Sequence, residues 1–113
     1  MKIYLAGPMR GITDFNFPAF HRAAKRLRAD GYEVFSPAEK GAEAEVLHNP
    51  TLQNSLAFRR EVFALDTAYI CNEADAVAVL PGWQTSLGAR AEVALAEAIG
   101  LTIISLGAPY VVN

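Results

Sequence analysis

The chain has 113 residues, the length of one domain, and its 52% hydrophobic and 19% charged residues exclude a disordered protein. Ten Lys and Arg residues against twelve Asp and Glu residues give a formal charge of -2, which disfavours nucleic acid as the main partner. Cys71 is the single cysteine, which excludes a disulfide framework and a cysteine-rich zinc site. The first turn comes too early for a signal peptide and no apolar run could span a membrane, so we expect a cytoplasmic protein.

The start of the chain predicts a strand and then a helix. Lys2–Ala6 is a short β-rich run that Gly7 and Pro8 stop. Asn16 is predicted to cap a helix, because an Asn side chain commonly accepts a hydrogen bond from the first helical N–H groups. The apolar residues of this helix recur at helical spacing and are Phe17, Phe20, Ala24 and Leu27. Gly31 ends the helix.

The middle of the chain carries a weaker pattern. Residues 32–35 predict a second strand. Residues 38–53 mix Ala, Glu and Gly without periodicity and predict an irregular excursion with one loose helical turn. A helical pattern returns over residues 54–72. Three apolar residues of this second helix lie seven positions apart and are Leu56, Phe63 and Ile70.

The last third of the chain predicts a strand, a loop, a helix and a final strand. Residues 74–80 are almost purely apolar, as in a central parallel strand that is covered on both faces. A loop over residues 81–85 follows, and Ser86 is predicted to cap a helix that Gly100 ends. Residues 101–106 form the last predicted strand.

This alternation predicts the fold class. Strands that alternate with helices imply right-handed crossovers and a parallel sheet. We therefore predict one α/β domain over residues 1–113, with a small doubly wound sheet of four to five strands in a flavodoxin- or Rossmann-like, three-layer α/β/α arrangement. Four strands are few for such a domain, so we expect partner subunits of the same chain to cover some apolar surface.

The loop after the first strand is a candidate anion site. In parallel α/β folds, ligands bind outside the carboxyl ends of the strands. Gly7 and Gly11 bracket Arg10 there, so backbone N–H groups and a guanidinium could contact an anion. A tight turn with a solvated arginine explains the same residues equally well. The loop matches neither a Walker A motif nor a dinucleotide-binding fingerprint.

The start of the last helix is a second candidate. Ser86 and Gly88 lie at a helix N-terminus, which is a natural phosphate site. The alternative is that Ser86 only caps the helix. Trp83, in the preceding loop, could stack on a base or could simply pack against the protein.

Two carboxylates interrupt apolar faces of the predicted helices. Glu92 has small and apolar helical neighbours, and Asp66 interrupts an inward stripe of the preceding helix. Two inward carboxylates beside one strand are the groups that glycosyl transfer uses. The alternatives are a Glu92 that pairs with Arg10 or Arg59, and an Asp66 that caps a loop.

Metal binding is not predicted. His21 and His48 lie far apart and have no carboxylates at ligand spacing. We expect neither a metal nor an organic cofactor.

Taken together, the motifs resemble a known family. The segment over residues 4–11, Asp66 ahead of the strand at residues 74–80, and Ser86 followed by Glu92 are similar to the nucleoside 2-deoxyribosyltransferase superfamily. The resemblance is strongest to its nucleoside 5′-monophosphate N-glycosidase branch and to small phage and bacterial relatives, and it spans nearly the whole chain.

The resemblance implies catalytic roles for three residues. Glu92 matches the nucleophilic glutamate that attacks the anomeric carbon and forms a covalent glycosyl-enzyme. Asp66 matches the aspartate that protonates or holds the leaving base. Tyr4 matches a tyrosine that positions the nucleophile.

It also implies a phosphate site. Ser86 matches the serine that binds phosphate in the hydrolases, where the transferases carry an aspartate. The other matching positions of the phosphate-binding loops are Gly7, Arg10, Gly11 and Gly88. Pro8 departs from the pattern, because the hydrolases carry a serine at this position.

These implications predict a cytoplasmic homodimer or larger homo-oligomer that hydrolyses the N-glycosidic bond of a ribo- or deoxyribonucleoside 5′-monophosphate. The alternatives are a nucleoside 2-deoxyribosyltransferase, in which a second base accepts the sugar, a non-catalytic nucleotide-binding or sequestering protein, and a dimeric scaffold without a ligand.

Overall fold

Strands and helices alternate along the chain in the computed structural model, which describes residues 1–40, 45–107 and 111–112. The strands of this part are β1 (Lys2–Ala6), β2 (Glu33–Phe35), β3 (Ala76–Val79), β4 (Thr102–Gly107) and β5 (Val111–Val112). Its α-helices are α1 (Phe17–Ala29), α2 (Leu56–Asn72) and α3 (Leu87–Ala98). The predicted α/β class is confirmed.

The sheet places the ends of β1 and β3 side by side at its centre. Its strand order is β2-β1-β3-β4-β5, in which the first four strands are parallel and β5 is antiparallel to β4. Tyr4 of β1 lies in register with Phe35 of β2 and Val77 of β3. The chain winds in opposite directions from β1 and β3, and this reversal opens a crevice outside the carboxyl ends of the two strands.

The two faces of the sheet are covered by different helices. Side chains alternate along β1, so Ile3 and Leu5 belong to one apolar cluster and Tyr4 and Ala6 to the other. The first cluster contains the inward face of α1. The second contains residues of α2 and α3. This arrangement is the predicted three-layer α/β/α sandwich.

Of the two predicted helix caps, one is confirmed and the other is wrong. Ser86 accepts a hydrogen bond from the Ala89 N–H at 3.2 Å and caps α3 as predicted. Asn16 precedes α1 as predicted, but its side chain does not cap the helix. Its backbone is left-handed, with φ of 61°, and its side-chain amide donates to the Pro8 carbonyl at 2.9 Å.

The helix predicted over residues 54–72 is present, but its three apolar residues at seven-residue spacing differ in burial. Ile70 is buried, whereas Leu56 and Phe63 are 54% and 37% exposed. The seven-residue spacing identifies a helix face correctly, but only the carboxyl-terminal part of that face packs on the sheet. The helix begins at Leu56 because the Ser55 hydroxyl accepts from the Phe58 N–H at 3.2 Å.

The excursion between β2 and α2 contains short 3-10 turns at Pro37–Glu39, Glu45–Leu47 and Pro50–Asn54. Residues 41–44 of the predicted excursion lie outside the described residues. Within the described ranges, no helix has the length and apolar character needed to cross a membrane.

Candidate active site

A cavity of about 550 Å³ opens at the carboxyl ends of β1 and β3. Its walls come from the loop after β1, the amino-terminal part of α2 and the first turns of α3. Seven of the predicted site residues line it, and they are Tyr4, Gly7, Arg10, Asp66, Ser86, Gly88 and Glu92. The volume is that of an ordinary small-molecule site.

Glu92 lies on the inner face of α3 and is held by a residue of β1. The Tyr4 hydroxyl donates a hydrogen bond to Glu92 Oε2 at 2.6 Å. Tyr4 is 0% exposed and Glu92 is 7% exposed, so this bond lies in the protein interior. The alternation of β1 turns Tyr4 towards α3, and its position opposite Val77 fixes the ring at the centre of the sheet.

The environment of Glu92 raises its pKa from 4.5 to about 8. Burial is the largest cause, because it disfavours the charged carboxylate. The hydrogen bond from Tyr4 acts in the opposite direction, and the nearby charge of Asp66 raises the pKa further. In this cavity Glu92 therefore ionises about three orders of magnitude less readily than a carboxyl group in water.

Asp66 is the second buried carboxyl group of the cavity. It is 3% exposed and lies on the face of α2 that also carries Val62 and Phe63 to the cavity wall. The negative charge of Asp66 opposes ionisation of Glu92, whereas the hydrogen bond from Tyr4 favours it. The two carboxyl groups thus form an interacting pair.

Arg10 does not neutralise this pair. Its guanidinium donates to the Gln53 carbonyl in the 3-10 turn that precedes α2. The ion pairs among the described residues join Lys2 to Glu73, Arg26 to Asp30 and Arg28 to Glu39. The alternative of a salt bridge from Glu92 to Arg10 or Arg59 is therefore wrong, and Glu92 bonds to Tyr4 instead.

Two glycines allow the walls of the cavity to approach each other. A Cβ atom at Gly7 would lie 2.9 Å from the Leu80 side chain, which is too close for any other residue without a shift of the strand end. A Cβ atom at Gly88 would lie 3.4 Å from Phe63 Cζ, so Gly88 brings the start of α3 close to α2. The Ser86 hydroxyl lies beside this contact and lines the cavity.

Two predicted site residues lie elsewhere. Trp83 is half-buried against the apolar cluster of α3 and lines a separate groove with Arg90 and Glu97. Gly11 does not contribute to the described lining of the cavity, and its φ of 78° serves the turn after Arg10. Both residues are near the cavity in sequence, but their loops turn them away from it.

The sequence interpretation missed several residues of the wall, two of which are polar and belong to α2 and to the 3-10 turn before it. Arg59 and Gln53 line the cavity beside Arg10. Arg59 lies seven residues before Asp66, which is two helical turns, so the spacing carried a signal that it shares a helix face with Asp66. Gln53 offered no such signal because it belongs to the irregular excursion. Among the described residues, no group of three potential ligands could hold a metal ion.

Comparison with known proteins gives a family but no activity. The family model described as a domain of unknown function, DUF4406, matches residues 1–105. A search of the curated proteins finds no match. The matched segment includes every helix and the four parallel strands almost to the end of β4, together with all the residues of the cavity wall. The chain therefore belongs to the DUF4406 family.

Proposed function

We propose that the protein is an N-glycosidase that hydrolyses a ribo- or deoxyribonucleoside 5′-monophosphate. One observation carries the proposal: a buried glutamate, Glu92, accepts a hydrogen bond from Tyr4 and interacts with a second buried carboxyl group, Asp66, in a cavity of substrate size. Burying two carboxyl groups is costly, and such pairs are typical of sites that break glycosidic bonds. The resemblance to the nucleoside 2-deoxyribosyltransferase superfamily supports the same assignment.

In the proposed first step, the Glu92 carboxylate attacks the anomeric carbon. A bond forms between that carbon and a carboxylate oxygen, and the N-glycosidic bond breaks. The base leaves with the electron pair and takes a proton from the Asp66 carboxyl group. Tyr4 positions the nucleophile, because its hydrogen bond to Oε2 fixes the carboxyl plane and leaves Oε1 for the attack.

In the second step, water attacks the same carbon, the bond from that carbon to the Glu92 oxygen breaks, and Asp66 accepts a proton from the water. The products are the sugar 5-phosphate and the regenerated Glu92 carboxylate. Both steps need one proton on the pair, because two neighbouring carboxylates repel each other when both are ionised. The reactive state has this proton on Asp66, so kcat/KM should fall as the pair loses its last proton around pH 8.

The other end of the cavity suits a phosphate. Ser86 supplies a hydroxyl at the start of α3, and Arg10 supplies a guanidinium from the loop after β1. A neutral hydroxyl at a helix N-terminus accommodates a phosphate, which an aspartate would repel. This favours a nucleotide over the unphosphorylated nucleoside that a deoxyribosyltransferase uses.

A non-catalytic nucleotide-binding protein is the second candidate. The raised pKa of Glu92 favours it, because a protonated glutamate does not attack carbon. The two candidates differ in whether base is released.

The test is base release from a panel of ribo- and deoxyribonucleoside 5′-monophosphates, followed by chromatography at pH 7 and pH 8. We expect wild type to release base from at least one nucleotide, and Glu92→Gln to lower the rate by about 1000-fold or more because the nucleophile is lost. Glu97→Gln, on the exposed face of the same helix, is the matched control and should retain activity. A second free base added to the reaction tests transfer.

No release from any nucleotide, with binding still detectable, would overturn the hydrolase and leave the binding protein. Formation of a new nucleoside with the added base would establish the transferase instead.

We also propose that the protein acts in the cytoplasm as a homo-oligomer. Leu87 and Leu56 are 82% and 54% exposed and lie on the two helices that form the cavity. We infer that a second copy of the chain covers apolar surface around these leucines, since contiguous exposed apolar patches mark interaction surfaces. Light scattering after size exclusion chromatography measures the mass, and a monomer at all concentrations would contradict the oligomer.

A further inference from the structure

The charged groups of the cavity wall are separated by sign. Asp66 and Glu92 are buried on the inner side, where Tyr4 lies. Arg10 and Arg59 are exposed and lie at the opening. We call these two arginines the cationic mouth of the cavity. A ligand that fits this pattern carries its negative charge at one end and its reacting carbon at the other.

Arg59 faces the same end of the cavity as Ser86. It lies seven residues before Asp66, about 10 Å along the axis of α2. Phe63, one turn after Arg59 on the same face, packs close to Gly88 at the start of α3. Since α2 and α3 both begin at the carboxyl end of the sheet, the turn before Phe63 lies beside the residues before Gly88.

The Arg59 guanidinium is available for a ligand. Arg10 donates to the Gln53 carbonyl, and Arg28 forms an ion pair with Glu39. Within residues 1–40 and 45–107, the Arg59 side chain has neither a hydrogen bond nor an ion pair, although it lines the cavity. A guanidinium presents parallel N–H donors that match two phosphate oxygens.

The loop after β1 lacks one backbone donor that could bind a phosphate. Pro8 has no N–H to offer an anion, and its carbonyl accepts from the Asn16 side chain. A phosphate at the cationic mouth therefore draws its donors from Arg10, Ser86 and a group outside this loop. Arg59 is the cavity-lining cation of the described residues that fills this role.

We propose that Arg59 binds the 5′-phosphate of the substrate and sets the preference for nucleoside monophosphates over nucleosides. The inference rests on the proposed function and deepens it, because it assigns the phosphate contact to a residue of α2. The 5′-phosphate does not take part in the reaction, so loss of its contact with Arg59 should raise KM and leave kcat nearly unchanged.

The experiment compares Arg59→Gln, Arg59→Lys and Arg60→Gln with wild type, using the released base as the readout. Arg59→Gln should raise KM for the monophosphate and lower the preference for monophosphate over nucleoside by about 10- to 100-fold, the effect of losing a charge-assisted contact. Arg59→Lys should recover part of this preference, because it restores the charge without the paired donors. Arg60→Gln is the matched control, since Arg60 is the exposed neighbour that does not line the cavity.

A second measurement separates this inference from the proposed function. Isothermal titration calorimetry of the same monophosphate with Glu92→Gln, with and without Arg59→Gln, reports binding without reaction. Binding that weakens with Arg59→Gln, in a protein whose wild type releases no base, supports the phosphate contact while overturning the glycosidase. Equal monophosphate binding and equal KM with and without Arg59→Gln, or no binding to either protein, overturns the phosphate contact.

Discussion

The two faces of the sheet bury different kinds of side chain. The α1 face buries mainly apolar side chains, and α1 itself contributes six of them, namely Phe17, Ala19, Phe20, Ala23, Ala24 and Leu27. The face under α2 and α3 buries Asp66 and Glu92 as well, and α2 has just two buried residues along its 17, Asp66 and Ile70. Packing on the α1 face therefore stabilises the fold, whereas the burial of two carboxyl groups under α2 and α3 lowers the stability.

This difference has a physical cause. Transfer of an apolar side chain out of water stabilises the fold, whereas transfer of a carboxyl group destabilises it unless the group is neutralised or hydrogen-bonded. Glu92 meets both conditions in part, through its raised pKa and its bond to Tyr4. Helix α2 keeps much of its apolar surface outside the core because its amino-terminal half borders the cavity rather than the sheet.

The largest expected effect is on the pH dependence of stability. The native pKa of Glu92 is about 8 and the unfolded value is about 4.5, so between these pH values the native state holds a proton that the unfolded state has lost. The contribution of Glu92 to the free energy of unfolding is thus greatest below pH 4.5 and falls as pH rises to about 8. Glu92→Gln cannot ionise, so its advantage over wild type should grow across this window to on the order of 4 kcal/mol.

Urea denaturation at pH 5, 6, 7 and 8 measures this advantage. Glu97→Gln, which is exposed on the same helix, should show no comparable growth. If the free energies of unfolding of wild type and Glu92→Gln changed in parallel with pH, burial of Glu92 would not lower the stability. The proposed difference between the two faces would then be wrong.

A pair of leucine truncations tests the contrast in packing. Leu27 on α1 is 1% exposed and Leu65 on α2 is 51% exposed. Leu27→Ala should lower the free energy of unfolding by about 3 kcal/mol, because it leaves a cavity in the core. Leu65→Ala should change it by less than about 0.5 kcal/mol. Both are read from urea denaturation at one pH, and equal losses would show that α2 packs as α1 does.

The smallest expected effect concerns the hydrogen bond between Tyr4 of the sheet and Glu92 of α3. Tyr4→Phe removes the donor that favours the ionised form of Glu92, so the pKa of Glu92 should rise further. The falling limb of kcat/KM should then move to higher pH by about one unit. The pH profile of base release measures the shift.

Tyr69→Phe is the control for Tyr4→Phe. Its ring lies 6.4 Å from that of Tyr4, but the bond to Glu92 comes from Tyr4 alone among the described side chains. A profile that stays in place with Tyr4→Phe, or moves to lower pH, would contradict the assigned role of the hydroxyl.

Much of the fold follows from local sequence signals. The apolar run before Gly7 and Pro8 predicts β1 with the bounds that the structure has, and Ser86 caps α3 as its sequence context indicates. Glu92 and Asp66 were predicted to face inward because a carboxylate interrupts an apolar helix face, and both are buried. These signals are short-range, so a single sequence carries them.

The remainder depends on tertiary placement. Helical spacing groups Leu56, Phe63 and Ile70 on one face, but the spacing does not tell whether a face meets the sheet, a cavity or solvent. Trp83 was assigned to the cleft by its nearness in sequence to Ser86, yet its loop turns it to the other side of α3. The direction of a loop is set by contacts with distant residues, which periodicity does not record.

The turn before α1 shows where the domain could be made more robust. Asp14, Phe15 and Asn16 all have left-handed backbones, with φ of 53°, 52° and 61°. Consecutive left-handed residues of this kind cost on the order of 1 kcal/mol or more each, and Phe15 is the one whose ring reaches the cavity wall. Packing of the surrounding residues therefore maintains a strained backbone at this part of the cavity wall. A protein engineer seeking a sturdier version of this domain would begin at this turn, where relief of backbone strain is separable from the chemistry of the carboxyl pair.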